Sequence, residues 1–227
     1  PIETILSGPA ASVVGAWHLA GRRDVWTVDV GGTTTDIVAL QNGRPRLNPE
    51  GARVGGWRTM VEAADAHTVG LGGDSHVRLN SSKLVIGPQR VVPLCLLSSQ
   101  YPHILDKLRI QEQDKKAGRI GQFVIAQRRD GRGLSIEKRT LLQSLKDGPR
   151  LVTELAEQGP LVAQWIRSME AREMVRRSAF TPTDALHVLG RLDLWDAEAS
   201  RIGARLLGRQ TGLSAEMLCQ RVVEGVS

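Results

Sequence analysis

Residues 28–40 read VDVGGTTTDIVAL: an apolar run, a glycine pair, three threonines and an aspartate, then a second apolar run. Strand-forming residues stand on both sides, so Gly31 and Gly32 belong to a turn between two strands rather than to a flexible linker. Two glycines let the backbone bend sharply and bring its N–H groups close to a ligand, while Thr33, Thr34 and Thr35 offer hydroxyl donors. That donor set suits a phosphate. Asp29, at the end of its strand, would repel a phosphate unless a cation or a water stood between them, which makes Mg²⁺ the natural third member. The alternative is a tight β-hairpin whose threonines are simply good strand formers. A hairpin needs neither a leading aspartate nor three threonines, and this favours the phosphate reading.

The bulk composition is that of an ordinary globular protein. In 227 residues, 41% are hydrophobic and 24% charged, enough for one good core or two modest ones. The net charge of +6 admits an anionic partner. The basic residues are scattered, however, and concentrate only around residues 119–139 and 167–177, as expected of a solvated surface with a phosphate ligand rather than a nucleic-acid stripe. Cys95 and Cys219 lie far apart with no metal-type spacing, which points to a reduced, cytoplasmic setting. No apolar run reaches the roughly 20 residues that span a bilayer. The chain opens at Pro1 with neither an initiator methionine nor a targeting segment, and a portion of a longer protein is expected.

The texture of the chain changes along its length. Residues 25–92 hold short β-rich runs punctuated by glycine: VWTVDV, TDIVAL, HTVGLG, SHVRLN, KLVIG and RVVPL. From Leu134 the patterns are helical, through SIEKRTLLQSLKDG and PLVAQWIRSMEAREMV to SAEMLCQRVVEG. Residues 111–133, charged and glycine-bearing, read as a loop or domain joint. Within the helical part, helix, turn, helix, turn, a longer helix and an extended stretch follow the order of a winged-helix unit. Arg167, Arg172, Arg176 and Arg177 could meet a phosphate backbone there, but Glu154, Glu157, Glu170 and Glu173 on the same helices would oppose a polyanion. Structural embellishment or partner docking is preferred to DNA binding.

The stretch ADAHTVGLGGDSH carries two D-x-H pairs, Asp65 with His67 and Asp74 with His76. Residues two apart on a strand share a face, so each pair could offer an oxygen and a nitrogen to one divalent transition metal. Equally, the histidines could be hydrogen-bonding strand ends. Gly72 and Gly73 make a second flexible turn able to approach nucleotide or substrate. Asp184, in TPTDA, reads as a helix cap. No nucleophile elbow and no lysine-bearing phosphate loop is present.

The motifs SGPAASVVGA (7–16), DVGGTTTDI (29–37), ADAHTVGLGGDS (64–75), KLVIGP (83–88) and TPTDALHVLGRL (181–192) stand in the order typical of the hydantoinase/oxoprolinase family. The chain resembles that family in its N-methylhydantoinase A-like form. Through it the chain resembles the sugar kinase, heat-shock chaperone and actin superfamily, whose two ribonuclease-H-like halves close over ATP. The resemblance implies an α/β, actin-like ATPase half built from residues 1–95 and 181–227, with a mostly helical, winged-helix-like insertion over 96–180. It implies ATP and Mg²⁺, with phosphates held by Gly31, Gly32, Thr33, Thr34 and Thr35, and Gly72 and Gly73 as further cofactor-binding candidates. Asp29 would orient the cation or the attacking water, and Asp65 and His67 match the family's own D-x-H. A small cyclic amide is the implied substrate. The family's earlier Asp-x-Gly-Gly-Thr motif would come from a preceding segment or a second subunit. A nucleotide-dependent sensor or assembly module that uses 96–180 to bind a partner is the alternative, and a nucleic-acid-binding regulator a weaker one.

Overall fold

The structure, a computed structural model, describes residues 7–32, 34–49, 53–54, 57–58, 63–81, 83–114 and 121–225. It is a mixed α/β protein whose chain divides into two compact units, residues 1–72 and 73–227.

The first unit opens with helix α1 (Ser7–Ala20) and strands β1 (Val25–Val30) and β2 (Thr35–Gln41), followed by the short strands β3 (Arg44–Pro45), β4 (Leu47–Asn48), β5 (Arg53–Val54), β6 (Trp57–Arg58) and β7 (Ala63–Ala64), and by β8 (Ala66–Val69). β1 and β2 form an antiparallel hairpin, the alternative weighed against a phosphate-holding turn, and β2 pairs on its other side with β3 and β8. Asn42 and Gly43, both at positive φ, make the two-residue turn from β2 to β3, the backbone sign that type I′ hairpins require. Gly43 has a second reason to be glycine: a Cβ there would press on the Trp17 ring at 3.0 Å. Alternation decides the faces. Val25, Val38, Leu40 and Ala66 pack with Val13 and Trp17, one helical turn apart on α1, as a small core. Trp26, Val28 and Val30 take the opposite face of β1 and are exposed.

The second unit holds the hairpin β9 (Ser75–Asn80) and β10 (Lys83–Arg90), then β11 (Val92–Pro93), α2 (Leu94–Gln100), α3 (His103–Gln113), β12 (Phe123–Ala126), α4 (Ile136–Ser144), β13 (Arg150–Leu151), α5 (Val152–Ala156), α6 (Val162–Glu170), β14 (Val175–Ala179), α7 (Pro182–Val188), α8 (Ala197–Thr211) and α9 (Ala215–Glu224). Its central sheet runs β11-β14-β12-β13, with β11 parallel to β14 and β12 antiparallel to both of its neighbours. β12 lies within residues 111–133, which the flanking charges made look like a loop; its FVIA run is short, apolar and buried on both faces. Phe123 and Ile125 enter one core with Leu94, Leu97, Phe180, Ile202 and Leu218. Val124 and Ala126 enter another with Leu141, Leu155, Ile166 and Met169. One strand thus welds the helices of 136–170 to those of 182–224.

The cap expected at Asp184 is present. Thr181 and Asp184 form a reciprocal capping box at the start of α7, with Pro182 in its first turn. Asp184 does more than cap. It is fully buried and accepts from the backbone N–H groups of Leu94 (3.1 Å) and Cys95 (2.8 Å) at the N-terminus of α2. It also accepts from Thr181 N and Oγ1 (3.0 and 2.8 Å) and from Ser200 Oγ of α8 (2.8 Å). α2 has only Pro93 at its N-cap position, with no side-chain cap of its own. Its orphan donors are therefore satisfied by a carboxylate from far along the chain. His187, three residues on, uses Nδ1 on Thr183 O and accepts at Nε2 from the N–H groups of Leu194 and Trp195, which holds the turn after α7.

Candidate functional site: a glycine hairpin with an acidic stem

The β1–β2 register places Val30 opposite Thr35 and Asp29 opposite Asp36. The connection over residues 31–34 is closed by Gly31 N–H donating to Thr34 O at 2.9 Å. Gly31 and Gly32 are exposed at the tip, and no side chain of their own shields the backbone. The hairpin and the phosphate readings are therefore compatible, since the hairpin is what presents the glycine backbone. Thr33 lies outside the described residues. Thr34 is half-buried. Thr35 is buried and donates its hydroxyl proton to Leu71 O at 2.8 Å, so that proton is committed to holding the chain beside Leu71 and is not available to a phosphate.

Asp36 is the residue that the motif reading passed over. Directly opposed residues of an antiparallel pair share a face with their Cβ atoms about 5 Å apart, and two carboxylates so placed repel. Asp36 accepts from Thr68 Oγ1 of β8 at 2.5 Å. The Asp29 side chain is exposed and makes no hydrogen bond or ion pair with another described residue. Two carboxylates and a glycine tip on one hairpin make a place where a divalent cation would remove a repulsion and an anion could then approach. The signal was in the sequence: counting outward from the turn pairs Asp29 with Asp36.

The remaining candidates are used differently. The boundary between the units falls between Gly72 and Gly73. Gly73 packs against α7: its carbonyl accepts from Thr183 N (3.0 Å) and Oγ1 (2.9 Å), and a Cβ on Gly73 would lie 2.7 Å from that Oγ1. Close packing thus accounts for this glycine without a ligand. The two D-x-H pairs do not assemble a metal centre: among the described residues no group of three His, Cys, Asp or Glu side chains is placed to hold a metal ion. Asp65 lies just ahead of β8 and pairs with Arg46 at 3.8 Å, and His67 is an exposed strand residue opposite Ile37. Asp74 is held by Arg90 at 3.0 Å, while His76 points into the interior of the second unit.

Two of the four arginines of 167–177 are engaged within the fold. Arg177 is clasped by both oxygens of Glu170 (2.9 and 3.1 Å), and Arg172 donates to Gly133 O. Burial lowers the pKa of Arg176, with Arg90 close by. Arg172 and Arg177 are thus tied internally. No helix among the described residues is long and apolar enough to cross a membrane.

The glycine-tipped acidic hairpin stands in a mixed α/β chain, and comparison with known proteins supplies the family. A model of the Hydantoinase/oxoprolinase family matches residues 1–196, and the chain belongs to that family. Among solved structures it resembles the nucleotide-free structure of acetone carboxylase, from work on the mechanism of ATP-dependent acetone carboxylation, with a TM-score of 0.53 and 17% identity. That likeness covers 97% of this chain and 23% of the other, so the chain spans about a quarter of the length of that relative.

Proposed function

We propose that this chain is part of an ATP-dependent hydantoinase/oxoprolinase-like hydrolase and contributes one of its phosphate-holding hairpins. The observation that carries this reading is the opposition of Asp29 and Asp36 beneath the exposed Gly31–Gly32 tip. In this reading the amides of Gly31 and Gly32 and the hydroxyl of Thr34 donate to phosphate oxygens, with Thr33 as a further candidate. Asp29 orients Mg²⁺ or the attacking water. The two carboxylates fit a divalent cation because they are like charges side by side with no cationic partner among the described residues. The cation supplies charge neutralisation for the phosphates, and the hairpin supplies fixed donors that need no reorganisation during reaction.

The ribonuclease-H-like architecture over 1–95 and 181–227, the winged-helix-like character of 96–180 and a cyclic amide substrate belong to the same proposal. The order α4, β13, α5, α6, β14 supports the insertion reading. ATP would activate the amide carbonyl for ring opening by water.

Steady-state ATP hydrolysis by the enzyme containing this chain tests the proposal. Asp29→Asn should fold normally yet lose about two or more orders of magnitude in turnover, the scale of one well-placed electrostatic group. Gly32→Val should instead weaken nucleotide binding, because a side chain would stand where the backbone meets phosphate. Unchanged turnover in Asp29→Asn would remove the hairpin from the chemistry.

A second reading, a nucleotide-dependent sensor that docks a partner through 96–180, is favoured by one feature. A cavity of about 730 Å³ in that region is bordered by Arg128, Arg129, Arg132, Arg139 and Lys146. Nucleotide binding without turnover, coupled to partner binding at that cavity, would select it.

A further inference from the structure

The register of β2 carries the row that holds the two carboxylates one strand further. Asp36 stands opposite Asp29 of β1 on one side and opposite Thr68 of β8 on the other. Directly opposed residues of antiparallel pairs lie on one face of the sheet, so Asp29, Asp36 and Thr68 form a cross-strand row on a single face. Within that row the Thr68 hydroxyl donates to Asp36 Oδ1 at 2.5 Å. A hydroxyl has one proton to give, and this one goes to the carboxylate. The other oxygen of Asp36, Oδ2, has no hydrogen bond or ion pair among the described residues.

Neither burial nor the sheet itself asks for this bond. Thr68 is exposed, so water could satisfy its hydroxyl. The backbone pairing of β2 with β8, from Thr35 opposite Val69 to Val38 opposite Ala66, does not involve the side chain. A second hydroxyl, that of Thr35, already ties the hairpin to the chain just past β8 through Leu71 O at 2.8 Å. What the bond decides is the rotation of a carboxylate. Two like charges about 5 Å apart across a strand pair repel and turn away from each other when nothing holds them. With Oδ1 held on the β8 side, Asp36 has one oxygen committed and one left to a ligand. Threonine is β-branched and stiff about its first side-chain bond, which makes it a firm support. Carboxylates that ligate cations are in turn hydrogen-bonded, and loss of such a partner weakens metal binding about 10–100-fold.

We propose, on the reading of this hairpin as a cation- and phosphate-holding one, that Thr68 is a positioning residue for the divalent cation: it holds Asp36 by Oδ1 so that Oδ2 meets the ion shared with Asp29. Mn²⁺ binding to the enzyme containing this chain, read from the electron paramagnetic resonance signal of the free ion, tests it beside Mg²⁺-dependent ATP hydrolysis and urea unfolding. The ion lost in Asp29→Asn defines the hairpin site. At that site Thr68→Val, which keeps the shape and removes the hydroxyl, should weaken Mn²⁺ about tenfold or more and raise the Mg²⁺ concentration for half-maximal turnover by a like factor. Thr68→Ser should restore both to within about twofold of wild type, with the urea midpoint the same in wild type and both variants. Wild-type Mn²⁺ affinity in Thr68→Val, with the ion still lost in Asp29→Asn, overturns the role of Thr68 and leaves the hairpin reading standing. Failure of Thr68→Ser to restore binding overturns it too, because the hydroxyl is then not what holds Asp36. Unchanged Mn²⁺ binding in Asp29→Asn also overturns it, and unchanged turnover in that variant removes the hairpin reading itself.

Discussion

Replacing Asp184 by alanine removes the acceptor of five hydrogen bonds at once, and the consequence can be worked out donor by donor. The hydroxyls of Thr181 and Ser200 can rotate towards other acceptors. The N–H groups of Leu94, Cys95 and Thr181 cannot, because each is fixed by its backbone at a buried helix start. Three orphaned donors at about 1–3 kcal/mol each, less the desolvation cost that the carboxylate no longer bears, give a loss of about 5 kcal/mol. That approaches the whole stability of an ordinary domain, about 5–15 kcal/mol. Asp184→Asn should fall between the two: one oxygen survives, but the amide NH₂ faces donors where the second oxygen stood. Urea unfolding followed by tryptophan fluorescence and circular dichroism measures both. A loss under about 1 kcal/mol in Asp184→Ala would refute the account of Asp184 as the tie between α2, α7 and α8.

The same experiment has a chemical readout in the two thiols. Burial raises the pKa of both, and the nearby Asp184 charge adds to it; Cys219 is pushed up to about 12 and Cys95 further. Both should resist a disulfide reagent in the native protein and react only on unfolding, and rapid native-state labelling would show the unit opening locally. His76 gives a pH signature. Its folded pKa of about 4 lies below the ordinary 6.5, so the unfolded chain binds the extra proton between those values. Its contribution to stability is complete above pH 6.5 and is lost as pH falls towards 4, by up to about 3 kcal/mol. The difference in unfolding free energy between wild type and His76→Gln should narrow over that window, and a constant difference would refute the burial of a neutral imidazole. Gly73→Ala brings a Cβ to 2.7 Å from Thr183 Oγ1 and should cost about 1–3 kcal/mol by displacing the start of α7; a neutral melting temperature would show that the contact yields.

Local signals in the sequence held where local chemistry decides the outcome. The glycine pair marked a turn between two strands, although the plain hairpin it makes was the less favoured reading, and Thr-Pro-Thr-Asp gave the capped start of α7, because a turn and a cap are both settled within a few residues. The strands of residues 25–92 and the helices after Leu134 were legible for the same reason. The helices α2 and α3 were not singled out: LCLLSSQ is too short to display a helical period, and its first N–H groups are satisfied by Asp184 rather than by a neighbour in sequence. β12 was hidden by the charges around it, although FVIA is the apolar run that a strand buried on both faces requires.

The candidate site divides along the same line. Asp29, Gly31 and Gly32 follow from the motif, and Asp36 would have followed from carrying the hairpin register one step past the turn. The D-x-H pairs misled because alternation along one strand says which residues share a face but not what that face meets. Asp74 meets Arg90, and His76 meets the interior. Both outcomes depend on partners brought from β10, β14 and α8, and no pattern within ADAHTVGLGGDSH encodes them.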